Sequence, residues 1–385
     1  MKGLLRLGII TLVGAVLYSS VAISAEATPP AAEQPKVTLK NVLTMLKLSG
    51  RASAGYLRTG PDSATLRHGS FEVPDVKLVF NFIPDDKNSL VLRFNLNNLT
   101  APTPLLDYGF VEAKDFLPFL KGPFSLNGKM GRMKQAFGEE TFQNNSIEGP
   151  LTSNSAANVG ATDEGLELSG KLCSSLGWAA SVSNGQTGVG SDIGNAKAWL
   201  ARLSWSPWDP LNISGSFYDS GSLKASAAEM SIAGLSARPT GATNWKRRAG
   251  EIDIRFDFGK GKKSFNDIAH SDSKAIIRAS YGHFQDEVTG ADGRDGKFGF
   301  VDGLVNIYKG IYVAGRVSFI DLNGSLTASL NSVTTNHYAR YTLGGGYRWS
   351  DNVHVKAGYD FNRNGGEGTT DSRDDLLSML LAIQF

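Results

Sequence analysis

The chain has 385 residues, with 39 Lys and Arg against 37 Asp and Glu, 41% hydrophobic residues and one cysteine. A net charge of +2 lacks the basic footprint of a nucleic-acid binder. The lone Cys173 rules out an internal disulfide or a thiolate metal cage, and without a Cys-x-x-Cys-His run no cofactor is expected.

Lys2 and Arg6 precede an uncharged run from Leu7 to Val21, and small residues follow from Ala22 to Ala27. This order predicts a removable signal peptide over 1–25. Without Lys2 and Arg6 the charge balance is even. Residues 26–45 then form a periplasmic leader. Its Leu39, Val42 and Leu43 suit either a short amphipathic helix or the approach to a first strand.

From Leu46 onward the pattern has a period of two, the signature of strands with one apolar face. Leu48, Gly50, Ala52 and Ala54 alternate with Lys47, Ser49, Arg51 and Ser53. Val76, Leu78, Phe80 and Phe82 follow, turned by Asp85–Asn88 into Leu90, Leu92 and Phe94. The stretch 105–116 is blurred, because Tyr108 and Phe110 share a parity with Glu112 and Lys114. The alternation resumes through Leu126, Leu166, Trp199, Ile213, Ile252, Ile277, Val301, Val313, Leu343 and Val355. Leu377, Met379, Leu381, Ile383 and Phe385 carry it to the end. In all there are about sixteen segments, the size of an aqueous barrel.

A soluble sandwich also alternates, so other features must decide. Even-to-odd connections are short (173–175, 206–210, 309–310, 350–352), whereas 135–163, 219–249, 321–336 and 363–374 are long. The connection 259–273 breaks this rule. Trp205, Trp208, Tyr347 and Trp349 make a girdle, and a terminal Phe385 resembles the closing strand read by the barrel assembly machinery. The expected fold is all-β: a transmembrane antiparallel barrel of about sixteen strands over 46–385, surrounded by outer-membrane lipid, with an inward-folded constriction loop. It would lie in the outer membrane of a Gram-negative bacterium.

The parity opposite the apolar one carries Arg51, Arg93, Arg202, Arg255, Arg278, Arg316, Arg340, Arg348 and Lys356, interleaved with acids. As a set they form a positive track on a pore wall; singly, each is better read as pairing with a carboxylate across strands. The loop candidate 135–163 holds Glu139, Glu140, Glu148 and Asp163 and no Lys or Arg. Such a loop opposite an arginine wall would set up a transverse field. Arg132 and Lys134 stand at its start.

Residues 69–78 (GSFEVPDVKL), Leu90–Asn97, Asp107–Phe116, 131–139 (GRMKQAFGE), 165–170 (GLELSG) and 182–185 (VSNG) together resemble the phosphate-selective porin O/P family over about 46–206. The resemblance implies a sixteen-stranded, usually homotrimeric channel whose constriction binds anions. This chain departs from it in lacking basic residues in the loop, where Arg132 and Lys134 are the nearest matches. The leading expectation is a porin for small hydrophilic solutes or ions. The alternative is a sheath barrel holding a partner protein, for example an electron-transfer cytochrome. No catalytic residue is expected: an embedded hydrolase would need a Ser beside His283, and none is evident.

Overall fold

The computed structural model describes residues 44–63, 66–98, 105–117, 124–143, 146–160, 162–185, 196–224, 231–235, 238–239, 241–259, 274–290, 292–323, 328–330, 333–365, 371 and 374–385. The expected signal peptide, the leader up to residue 43 and residues 260–273 lie outside these.

Sixteen long strands follow one another: β1 (Leu46–Thr59), β2 (Ser70–Phe82), β3 (Asn88–Asn95), β4 (Leu106–Ala113), β5 (Ser125–Lys134), β6 (Thr162–Cys173), β7 (Leu176–Ser183) and β8 (Ala198–Trp208) make the first half. β9 (Leu211–Asp219), β10 (Asn244–Phe258), β11 (Ala275–Thr289), β12 (Arg294–Tyr308), β13 (Ile311–Leu322), β14 (His337–Ser350), β15 (Val353–Gly365) and β16 (Leu376–Gln384) make the second. Each pairs antiparallel with its neighbour.

β1 pairs with β16 from Arg51–Gln384 to Thr59–Leu376, which closes the barrel and leaves no free edge. The seam ends in a reciprocal pair, Gly50 N–H to Phe385 O and Phe385 N–H to Gly50 O, both 3.0 Å. A Cβ at Gly50 would lie 2.7 Å from the Phe385 ring, so this approach requires glycine.

The connections are asymmetric. Turns 174–175, 209–210, 309–310 and 351–352 are tight, and at the last-but-one both Lys309 and Gly310 take positive φ, as a two-residue hairpin demands. At Asp85 the carboxylate accepts the N–H groups of Lys87 and Asn88 at 2.8 Å each; the Asn88 side chain and these bonds hold its acidity above the ordinary.

The outer surface is apolar: Leu203, Phe217, Ile252, Tyr281, Val301, Val317, Leu343, Leu381 and many others are exposed. The inner surface is polar, with Arg202, Asp253, Arg278, Asp302, Arg316, Thr342 and Asp360 buried. This inverts a soluble fold, and only a lipid surround makes such an exterior favourable. A Leu343→Arg change, mid-way along β14, should therefore cost about 2–4 kcal/mol in urea unfolding from lipid vesicles. On a protein with a water-facing exterior it would cost next to nothing.

The segment between β5 and β6 lies inside the barrel. It includes a short helix, Glu140–Gln143, and Val159–Gly160 pairs with Ser231–Ile232 from the β9–β10 connection. Leu235 bridges to Leu330 of a small hairpin, Ala328–Leu330 with Val333–Thr335, from the β13–β14 connection. Phe137, Ala156, Ala157, Val159, Ile232, Leu235 and Leu330 pack there against Phe284, Phe298, Phe300, Ile320 and Tyr338 of the wall. Two connections that the sequence places outside thus dip into the lumen and form one apolar knot with the loop. The driving force is burial of wall aromatics that carry the lumen parity.

Candidate functional site in the lumen

The inward loop is tied to the second half of the barrel at many points. Gly138 N–H donates to Ser216 Oγ at 3.1 Å, and Glu139 N–H to Asp253 Oδ1 at 3.3 Å. Arg255 donates to the Glu139 carboxylate at 3.1 Å, and Arg316 to Glu140 at 2.9 Å. Further along, Ala156 N–H reaches Ser318 Oγ at 3.0 Å, Ser153 Oγ reaches Asp360 at 2.8 Å, and the Tyr312 hydroxyl donates to Pro150 O at 3.0 Å. Lys356 Nζ donates to Gly149 O, and Arg340 to Asn154 O at 3.0 Å.

Beneath the loop the wall has its own network. Asp302 receives Arg278 at 2.8 Å and Arg316 at 2.9 Å, and Arg202 sits 3.6 Å from Asp253 while donating to Ser214 and Ser216. The expectation of an acidic loop facing an arginine wall across an open gap is corrected here. Glu139 and Glu140 are in direct contact with Arg255 and Arg316, because apolar burial in the knot draws the loop onto that wall and the charges neutralise there.

The other expected residues fall into distinct places. Arg51 pairs with Asp75 across β1–β2, and Arg93 pairs with Asp107 at 2.8 Å while stacking 3.8 Å over the Tyr108 ring. Arg348 donates to Asn306 Oδ1 at 2.8 Å and lies over Tyr312. Arg132 pairs with Glu164 at 3.0 Å and donates to Asp107 O, and Lys134 donates to Thr141 O within the loop's first turn. Glu148 is half-buried on the loop. Asp163 stands not on the loop but on β6, buried, where it accepts the N–H groups of Glu164 and Gly185 at 2.8 and 2.6 Å. His283 pairs with Asp295 at 2.6 Å, both side chains about half exposed.

The charged cluster around Asp107 and the one around Asp302 differ in access to solvent. Arg51, Lys77, Arg93 and Asp107 keep 13–22% side-chain exposure, whereas Arg278, Asp302, Arg316, Glu139 and Glu140 keep 2–6%. Lys77, absent from the expected set, joins Arg93 on Asp107 at 3.2 Å. Its place between Val76 and Leu78 already gave it the lumen parity.

Burial pushes the Glu139 carboxyl above its ordinary value, with Arg255 opposing the rise and Asp253 adding to it. As pH falls, Glu139 takes a proton before an exposed glutamate does. That step removes a negative charge from beside Arg255, so ion preference should move toward anions. Reversal potentials measured from pH 7 downward should show this step, and Glu139→Gln should start already shifted and lack it.

No family model matches the sequence, and no curated protein does. Solved structures match over nearly the whole barrel. The outer-membrane channel DcaP of Acinetobacter baumannii has a TM-score of 0.58 at 10% identity, over 88% of this chain and 97% of that one. OmpT of Vibrio cholerae, in its trimer form, has 0.57 at 11%, over 88% and 99%. The anion-selective porin of Comamonas acidovorans has 0.56 at 10%, over 88% and 98%. The fold is that of the bacterial outer-membrane porins. With its apolar exterior, the chain is a barrel of that membrane. Identities this low carry the fold and leave solute and selectivity to the residues themselves.

Proposed function

We propose that this barrel is a passive diffusion channel for small hydrophilic solutes and ions, with a modest preference for anions. The observation that carries the reading is the uneven lumen: the loop is tied mainly to the β9–β16 side, with Ser146 Oγ reaching Asp75 on the opposite wall at 2.9 Å, and the Lys77–Arg93–Asp107 cluster of β2–β4 keeps its solvent contact. Along that wall Lys77 and Arg93 share the single carboxylate of Asp107, which leaves one cation in excess. Uncovered arginine and lysine pairs of this kind hold anions loosely enough to release them. Phosphate is one such anion, in line with the resemblance of residues 69–139 to the phosphate-selective family. The filled half of the lumen speaks against a sheath around a partner protein.

The wall heights support a homotrimer. β3 and β4 have eight residues each against fifteen in β10, β11 and β12. Eight residues rising ~3.3 Å each and tilted by ~40° give a wall of roughly 20 Å, short of the ~25 Å apolar band. Val111 on that low wall, with Phe71 on β2 and Met130 on β5 beside it, is strongly exposed. Further copies of the chain would cover it, and the matched OmpT is described in a trimer form. Light scattering in detergent should give the mass of three chains.

The test of the channel is bilayer current under a potassium chloride gradient, with and without phosphate. The reading predicts conductance, a reversal potential on the anion side and a chloride current reduced by phosphate. Folded barrels that carry no current would overturn it.

A further inference from the structure

The blurred stretch of the sequence has a structural answer. β4 places Tyr108 and Phe110 on the lumen side, together with Glu112, and leaves Val111 exposed outside. The register shift between Arg93 and Phe94 opposite β4 lets Asp107 also reach the lumen, where Lys77 and Arg93 meet it. Val91 stands opposite Phe110, and Val79 opposite Arg93. An aromatic and aliphatic step, half-buried, therefore interrupts the polar wall on the solvent-contacting side. Phe284, Phe298, Phe300 and Tyr338 of the other half are sealed in the knot; these are not.

The step has cations at both ends. Towards the long-loop end, Arg93 lies over Tyr108, and Lys77 shares Asp107 with it. Towards the other end, Lys129 Nζ lies 5.9 Å from the Phe110 centroid and pairs with Glu167 at 3.0 Å, with Glu112 close by on Ser89. At this end Glu112 and Glu167 balance Lys114 and Lys129, whereas at the other one Asp107 carboxylate serves both Arg93 and Lys77, so the attractive pole for an anion is the Arg93–Lys77 end.

We propose that this step is a specificity-determining subsite for small aromatic carboxylates, and it rests on the channel reading above. The ring of the solute packs on Phe110 and Val91, where apolar contact is gained, and its carboxylate faces Arg93 and Lys77. An acetate ion satisfies only the second contact. Aromatic anions are thus held longer than aliphatic ones of the same charge.

Benzoate and acetate, each added to a single channel carrying chloride, give the test. The expected result is transient interruption of the chloride current by benzoate at concentrations at least fivefold lower than acetate requires. Phe110→Asn should bring the two together and leave chloride conductance equal or higher. Equal block by both anions in the native channel would overturn the subsite, as would a Phe110→Asn channel that keeps the benzoate preference. Should the variant fail to fold, the native comparison alone decides. Absence of chloride current in native barrels is a different outcome: it would overturn the channel reading itself, and the subsite with it.

Discussion

Replacing residues 139–157 by a short Gly-Ser link is expected to raise single-channel conductance severalfold while the barrel still folds. The loop occupies the lumen beside β9–β16 and contributes Ile147, Leu151, Ala156 and Ala157 to its interior packing. Its removal opens cross-section directly. The wall beneath keeps its own pairs, Arg278 and Arg316 with Asp302 and Arg202 with Asp253. Arg255 and Arg316 lose the carboxylates of Glu139 and Glu140, and Arg340 loses the Asn154 carbonyl, but water enters and solvates them. Anion preference should therefore rise together with conductance. Unchanged conductance would mean that the current does not pass beside the loop.

The second large effect is at Asp302. Asp302→Ala leaves Arg278 and Arg316 facing each other, each with 3% of its side chain exposed. Breaking a buried pair by removing one partner costs about 3–5 kcal/mol, because the remaining charge stays desolvated. Here one carboxylate serves two guanidiniums, and Glu140 is in direct contact with Arg316. Urea unfolding in vesicles should show the loss. Glu287→Ala offers the contrast: its pair with Arg248 is nearly half exposed, and the cost should stay within ~1 kcal/mol. Similar losses at the two positions would contradict the buried-network account.

Much of the architecture was legible in the residues. Ile252, Ile254, Phe256 and Phe258 against Glu251, Asp253, Arg255 and Asp257 state both period and facing, because a two-residue repeat admits only two faces. What period-two reading cannot supply is where connections go. The β9–β10 and β13–β14 connections read as outer loops by length alone, yet Ile232 and Leu330 are buried in the knot. The available signal was Phe284, Phe298 and Tyr338, aromatics sharing the parity of Arg278, Asp302 and Arg340, which need an apolar cover on the lumen side. The site was legible as a set of charged positions but not as pairs. Arg51–Asp75 and Arg93–Asp107 depend on register, and Asp107 turns inward only through a bulge that alternation does not foresee.

The most direct test of the central claim, that water and solutes pass along the β1–β6 wall, is thiol accessibility during conduction. In a Cys173→Ser background, Lys77→Cys and Ser318→Cys would be exposed in turn to a small charged methanethiosulfonate while single-channel current is recorded. Lys77 borders the solvent-contacting wall, whereas Ser318 is fully buried and accepts the Ala156 N–H beneath the loop. The account predicts a stepwise fall in current for Lys77→Cys and no reaction for Ser318→Cys. Reaction at Ser318→Cys with Lys77→Cys unaffected would place the pathway on the opposite wall and contradict it.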